Sequence, residues 1–198
     1  ENSPFITEES VNKLLIENNS SVKNIQKDKV DLKGLEQNLN NHNMIQKCEV
    51  FVTVDGVLKA VVKQKTPVAR VFGSDGSFYV DYEGHKMPLS DNFTARVPIV
   101  SGTINKQNNQ DLIKVFRYIY DDEFLQKNII GVEVLPGGSL KMRNRNFNYV
   151  IDFGKTINVD KKFKNYKAFF QKAVQDSLIN NYKTVNLKFT QQVVCTKN

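Results

Sequence analysis

Long apolar runs are missing from this sequence. Nowhere in its 198 residues do about 18 apolar residues follow one another, so nothing here reads as a membrane span. No secretory signal is visible, and the first residue is Glu1 rather than methionine, so an upstream targeting or anchoring segment is expected. Cysteine is nearly absent. Cys48 and Cys195 are too few for a disulfide framework and do not have zinc-site spacing. Cys48 stands among valines and reads as a small buried hydrophobe, whereas Cys195, near the end of the sequence, reads as exposed. A bridge between them is not expected, because it would tie together two modules that the sequence otherwise separates. Histidine is equally scarce. His42 lies in an asparagine-rich turn and His85 follows Glu83-Gly84, and both are predicted to face solvent.

Negative charge is in short supply too. The net charge is +7, which permits nucleic acid, anionic lipid or an acidic partner. From Lys155 onward nine lysines face only Asp160 and Asp176. That segment has no arginine, and its aromatics fall at helical spacing. It therefore reads as a solvated lysine face around a packed helix, not as a nucleic-acid surface.

What is present is a clear alternation of helical and strand patterns. Thr7 is placed to cap a helix carrying Val11, Leu14 and Leu15 inward, and a second helix from Asp31 aligns Leu32, Leu35 and Leu39. Cys48, Val50, Val52 and Val54 then alternate with Lys47, Glu49, Phe51 and Thr53. Asp55-Gly56 predicts a two-residue turn into a return strand over 57–65, in need of a third strand from the extreme N-terminus or upstream. Pro67 cannot donate to a ladder and marks a boundary. Beyond it, strands are predicted over 68–72 and 78–81 with turns at 73–76 and 83–84, then a looser segment from Pro88 to Gly102. A helix follows over 109–122, then strands over 129–135, 139–143 and 147–152. A helix capped by Asp160 carries Phe163, Tyr166, Phe170, Ala173 and Val174 inward, and a last strand covers 184–194. The class is α+β: a small module over 1–66, then a mixed β-sheet domain with packed helices over 67–198.

No catalytic constellation emerges. Asp121, Asp122 and Glu123 cluster at a predicted helix end, where carboxylates oppose the helix dipole, and adjacent helix residues point apart. The glycines at 73–76 and 137–138 lack the phosphate-loop pattern. Acceptor patterns for glycosylation start at Asn18, Asn19 and Asn92. No enzyme activity, metal or cofactor is expected.

The ordered motifs do carry a likeness. "KQKTPVARVF", "FYVDYEGHKMPLS" and "ARVPIVSG", followed by "VEVLPGGSLKM", "IDFGKTINVDKKFKNYKAFF" and "TVNLKFTQQVV", resemble the extracytoplasmic part of the FtsQ/DivIB bacterial cell-division proteins. The matching positions are Pro67 and Ala69, Tyr79-Val80-Asp81 with Gly84, and Val97-Pro98 with Gly102. In the last motif the family's aspartate, arginine and tyrosine are replaced by Asn186, Lys188 and Phe189. The resemblance implies a polypeptide-transport-associated (POTRA) module followed by a β-domain. It also implies a single N-terminal membrane anchor, placement on the outer side of the bacterial inner membrane at the division site, and a non-enzymatic scaffold role. The implied partners are FtsB-like and FtsL-like bitopic proteins, with other divisome components at the N-terminal module and no nucleic acid.

Within that picture the strand over 184–194 is expected at a sheet edge, accepting a partner strand. Val185, Leu187 and Phe189 would face inward and fix the register. The partner-binding set is Thr184, Asn186, Lys188, Phe189, Thr190 and Gln192, with Lys161, Lys162 and Lys164 attracting an acidic partner segment. The competing reading is a POTRA-containing, chaperone-like binder in outer-membrane protein assembly, which would need POTRA repeats or a β-barrel.

Overall fold

The structure, a computed structural model, describes residues 5–17, 30–73, 76–104 and 109–197. The turn predicted at 73–76 and the acceptor patterns at Asn18 and Asn19 include residues outside these ranges. By its internal contacts the chain divides into two units. One comprises Glu1–Thr66 with Met87–Ala95, the other Pro67–Lys86 with Arg96–Asn198.

The first unit packs two helices on a hairpin: α1 (Glu8–Glu17), α2 (Leu32–Asn40), β1 (Ile45–Val52) and β2 (Leu58–Gln64). Both helices start at side-chain caps. Thr7 Oγ1 accepts from Ser10 N at 3.1 Å, and Asp31 Oδ1 accepts from Gly34 N at 3.0 Å. Leu15, Leu35, Leu39, Ile45, Cys48 and Val50 form the core. The loop of the hairpin is not the predicted two-residue turn. Gly56 N donates to Thr53 O and Thr53 N to Val57 O, and only Gly56 of this loop has a positive φ, at 84°. This is a three-residue loop, Val54-Asp55-Gly56, ending in a left-handed glycine. Val54 therefore leaves the inward row and is fully exposed. Among the described residues the sheet has two strands. The N-terminal stretch meets β2 through the side chain of Gln64, whose Oε1 accepts from Phe5 N and Ile6 N. The segment Met87–Ala95 returns to the same unit, with Ser90 Oγ donating to Phe5 O at 2.8 Å and Phe93 edge-on to Phe5 at 5.0 Å.

The second unit is built on β3 (Pro67–Gly73), β4 (Gly76–Asp81), β5 (Lys86–Met87), β6 (Ile99–Gly102), β7 (Ile129–Val134), β8 (Leu140–Asn144), β9 (Val150–Gly154), β10 (Tyr182–Asn186) and β11 (Val194–Lys197). Its helices are α3 (Asn109–Asp121), α4 (Glu123–Asn128) and α5 (Val159–Gln175). The strands run β11-β10-β9-β8-β7-β6-β3-β4-β5, with parallel pairing at β3–β6, β6–β7 and β9–β10. Register explains the core. Val71, Val100, Val132, Met142, Ile151 and Val185 are cross-strand neighbours in one row, and all are buried. They share a core with Leu112, Phe116 and Ile119 of α3 and Phe163 and Tyr166 of α5. The adjacent row, Ile99, Gly131, Arg143 and Val150, lines an open groove of about 470 Å³.

Two predicted features change physical meaning here. The acidic cluster is not a helix C-terminus alone. Asp122 starts α4, its Oδ1 accepting from Leu125 N at 3.0 Å, and Glu123 lies in that helix's first turn, where the dipole favours it. Asp160 is not the cap of α5. Asn158 precedes the helix with φ 52°, and Asp160 sits inside the first turn, accepting from Tyr118 OH at 2.8 Å.

Lys162 is the larger surprise. It is 2% exposed, and its ammonium donates to Phe153 O at 2.9 Å and Lys155 O at 2.6 Å while lying 4.8 Å from the centre of the Phe153 ring. It ties α5 to the end of β9. Lys162→Met keeps the apolar stem and leaves both carbonyls without this donor, so urea unfolding is expected to show a loss of about 2 kcal/mol. Burial lowers the pKa of Lys162. The unfolded chain thus binds more protons between that lowered value and the ordinary one, and this group's contribution to stability rises with pH across that window.

Candidate protein-interaction edge

The β9–β11 end of the sheet is where the sequence placed its partner site. Leu187 N donates to Asp152 O at 2.9 Å, so residues 185 and 187 turn their main-chain groups toward β9. Residues 184 and 186 must then turn theirs toward β11, where Thr184 pairs with Thr196 and Asn186 with Val194. The alternation continues through β11. Val194 and Thr196 face β10, and Cys195 and Lys197 present their N–H and C=O groups on the sheet's outer edge.

This corrects the predicted strand. It ends at Asn186, and β10 is an interior strand because a second segment, Val194–Lys197, folds back beside it. The main-chain groups of Thr184 and Asn186 belong to the sheet's own ladders. The inward set also breaks. Val185 and Leu187 are fully buried, but Phe189 is 51% exposed, because residues after Leu187 form a loop that no longer alternates.

The loop is held in place. Asn186 Oδ1 accepts from Lys188 N at 2.9 Å, Lys188 Nζ pairs with Asp152 at 2.6 Å, and Asn165 Nδ2 of α5 donates to Thr190 O at 3.0 Å. Gln192 joins Asn165, Phe169, Lys172 and Tyr182 around a groove of about 310 Å³ beside the edge. Phe169 and Tyr182 form its floor edge-on, 5.3 Å apart.

The three lysines of α5 separate. Lys161 is exposed, and Lys164 is exposed and paired with Asp160 at 2.9 Å. Lys162 is buried and so leaves the partner-facing set, because an i+1 neighbour on a helix points about 100° away. The edge residues Val194, Cys195, Thr196 and Lys197 were missed as a separate strand. Their signal was the β-branched run after Gln191-Gln192, where two polar residues in succession break the alternation. Cys48 and Cys195 are both free, and burial pushes both thiols up. His42 is half-buried rather than exposed, its Nδ1 accepting from Met44 N at 3.3 Å, and burial lowers its pKa. Among the described residues no group of three His, Cys, Asp or Glu could hold a metal ion, and no helix is long and apolar enough to cross a membrane.

The arrangement can pair main chain with main chain and seat side chains in the flanking groove. Comparison with known proteins gives two matches. Residues 66–196 match the family model described as FtsQ/DivIB, C-terminal related. Residues 1–63 match the model described as a POTRA-like domain. No curated protein matches the chain.

Proposed function

The chain belongs to the FtsQ/DivIB C-terminal related family, and from that premise we propose that it binds FtsB-like and FtsL-like bitopic division proteins by accepting a strand at β11. The family is a non-enzymatic one with a division-related scaffold role. The observation that carries the finer reading is the outer edge of β11, where Cys195 and Lys197 turn ladder groups away from β10. An added strand gains main-chain hydrogen bonds there, and the Phe169–Tyr182 groove supplies side-chain selection. Phe189, Thr190 and Gln192 flank the seat, while Lys161 and Lys164 raise the on-rate for an acidic segment. The POTRA-like module is a separate recruitment surface for other divisome components, and residues 1–66 and 67–198 act as two modules in series on the outer side of the inner membrane.

Depletion in the native cell tests this reading. Filaments without septa are expected, restored by the intact protein and not by one lacking residues 6–65. Normal septation together with defects in outer-membrane proteins would replace it with the chaperone-like role.

A further inference from the structure

The β1–β2 hairpin has a second face that the core does not use. Alternation sends Cys48 and Val50 inward, with Ala60 and Val62 packed against the same core. It leaves Lys47, Glu49 and Phe51 of β1 and Lys59, Val61 and Lys63 of β2 on the opposite side. Register sets Phe51 against Lys59, Glu49 against Val61, and Lys47 against Lys63. Phe51 and Val61 are therefore diagonal neighbours, within about 7–8 Å. The apolar character continues to the tip. Phe51 is 43% exposed, Val57 47%, Val61 59% and Val54 100%. Glu49 is matched by Lys47 at 2.5 Å, whereas Lys59 and Lys63 have no carboxylate partner among the described residues.

The composition selects the occupant. Three or four apolar side chains next to two unmatched lysines fit a surface that is apolar underneath and anionic on top. Lysine suits it, because its stem lies along apolar material while the ammonium reaches outward. A protein partner fits less well. Seven strand residues by two strands cover roughly 24 Å by 10 Å, far below the ~800 Å² per partner of a standard protein interface. A lipid surface needs no such area, since each lysine near anionic headgroups contributes independently.

We propose that this hairpin face docks tip-first on an anionic bilayer surface, with Phe51, Val54, Val57 and Val61 at the headgroup boundary and Lys59 and Lys63 on lipid phosphates. The assignment is independent of the division role.

The chain has no tryptophan, so Phe51→Trp supplies a single reporter. With the full chain and vesicles of phosphatidylglycerol and phosphatidylcholine, its emission is expected to shift to the blue, and pure phosphatidylcholine vesicles should give no shift. Lys59→Gln/Lys63→Gln in that background should weaken vesicle binding about 25-fold, roughly fivefold per lysine. The charge control is Lys141→Gln/Lys183→Gln, two exposed lysines of the second unit. It removes the same charge away from the hairpin and should bind nearly as the parent. A second route is co-sedimentation of the tryptophan-free chain, lost on Phe51→Ser/Val61→Thr. Absence of binding, or equal weakening by both lysine pairs, overturns the proposal. Hairpin-dependent binding to polyglutamate without binding to vesicles overturns it as well, assigning the face to an acidic protein.

Discussion

Cys195→Pro is expected to lower affinity for the extracytoplasmic segments of FtsB-like and FtsL-like partners by about 100-fold, roughly 2.7 kcal/mol. The N–H of Cys195 faces the outer edge, so the substitution removes a donor that the chain's own ladder does not use. The pyrrolidine ring also occupies the space where an incoming carbonyl would approach. Edge strands tolerate proline for the same reason, and the β10–β11 bonds at Thr196 and Val194 are kept. Cys195→Ala retains the N–H and should bind as the parent does, separating main-chain capture from any role of the thiol. Calorimetry with the purified chain reads both, and circular dichroism checks the fold. A folded proline variant with unchanged affinity would sink strand addition at this edge.

Gly102→Ala should cause the largest loss of stability. Gly102 closes β6 with φ +96°, and a Cβ there would lie 2.1 Å from Val134 O and 2.9 Å from Val134 C. Those are main-chain atoms of the paired strand β7, fixed by Thr103 N donating to Val134 O at 2.9 Å. Nothing flexible can yield. The strained dihedral costs about 1–3 kcal/mol and the overpacking about 1–3 more, so a fall in Tm of roughly 10 °C is expected for a chain of this size. Gly138→Ala is the contrast. Gly138 also has a positive φ, +75°, but among the described residues no atom beyond its chain neighbours lies within 4 Å of its Cβ position. Only the dihedral cost remains, and equal shifts for the two variants would refute the clash.

Elements with an unbroken period were legible in the sequence. α5 shows Phe163, Tyr166 and Ala173 at helical spacing, and all three are buried, whereas Val174, read as inward, is 44% exposed. β1 alternates through Val50 as read, until the loop begins and Val54 turns out. β6 was not legible. It has four residues directly after Pro98 and is recruited by parallel pairing with β3 and β7, which local pattern does not encode. Lys162 was missed because three lysines within four positions look alike in sequence, and only the packing of α5 on β9 decides which is buried. The strand from residue 184 was legible but the sheet's edge was not. A strand's place in a sheet depends on what folds back beside it, and the loop from Leu187 to Val193 hides that return.

Because β9 and β10 run parallel, no hairpin can join them. The chain must leave β9, cross through α5 and come back before β10 can dock. During synthesis, then, the growing sheet ends at β9 until α5 and the residues after it have been made. That temporary edge is a hazard, since unpaired strands recruit unintended neighbours. The final edge, β11, arises only after the hazard has been covered. Order of assembly is thereby written into connectivity: a molecule clipped after β9 offers an edge of different sequence and register from that of the finished sheet.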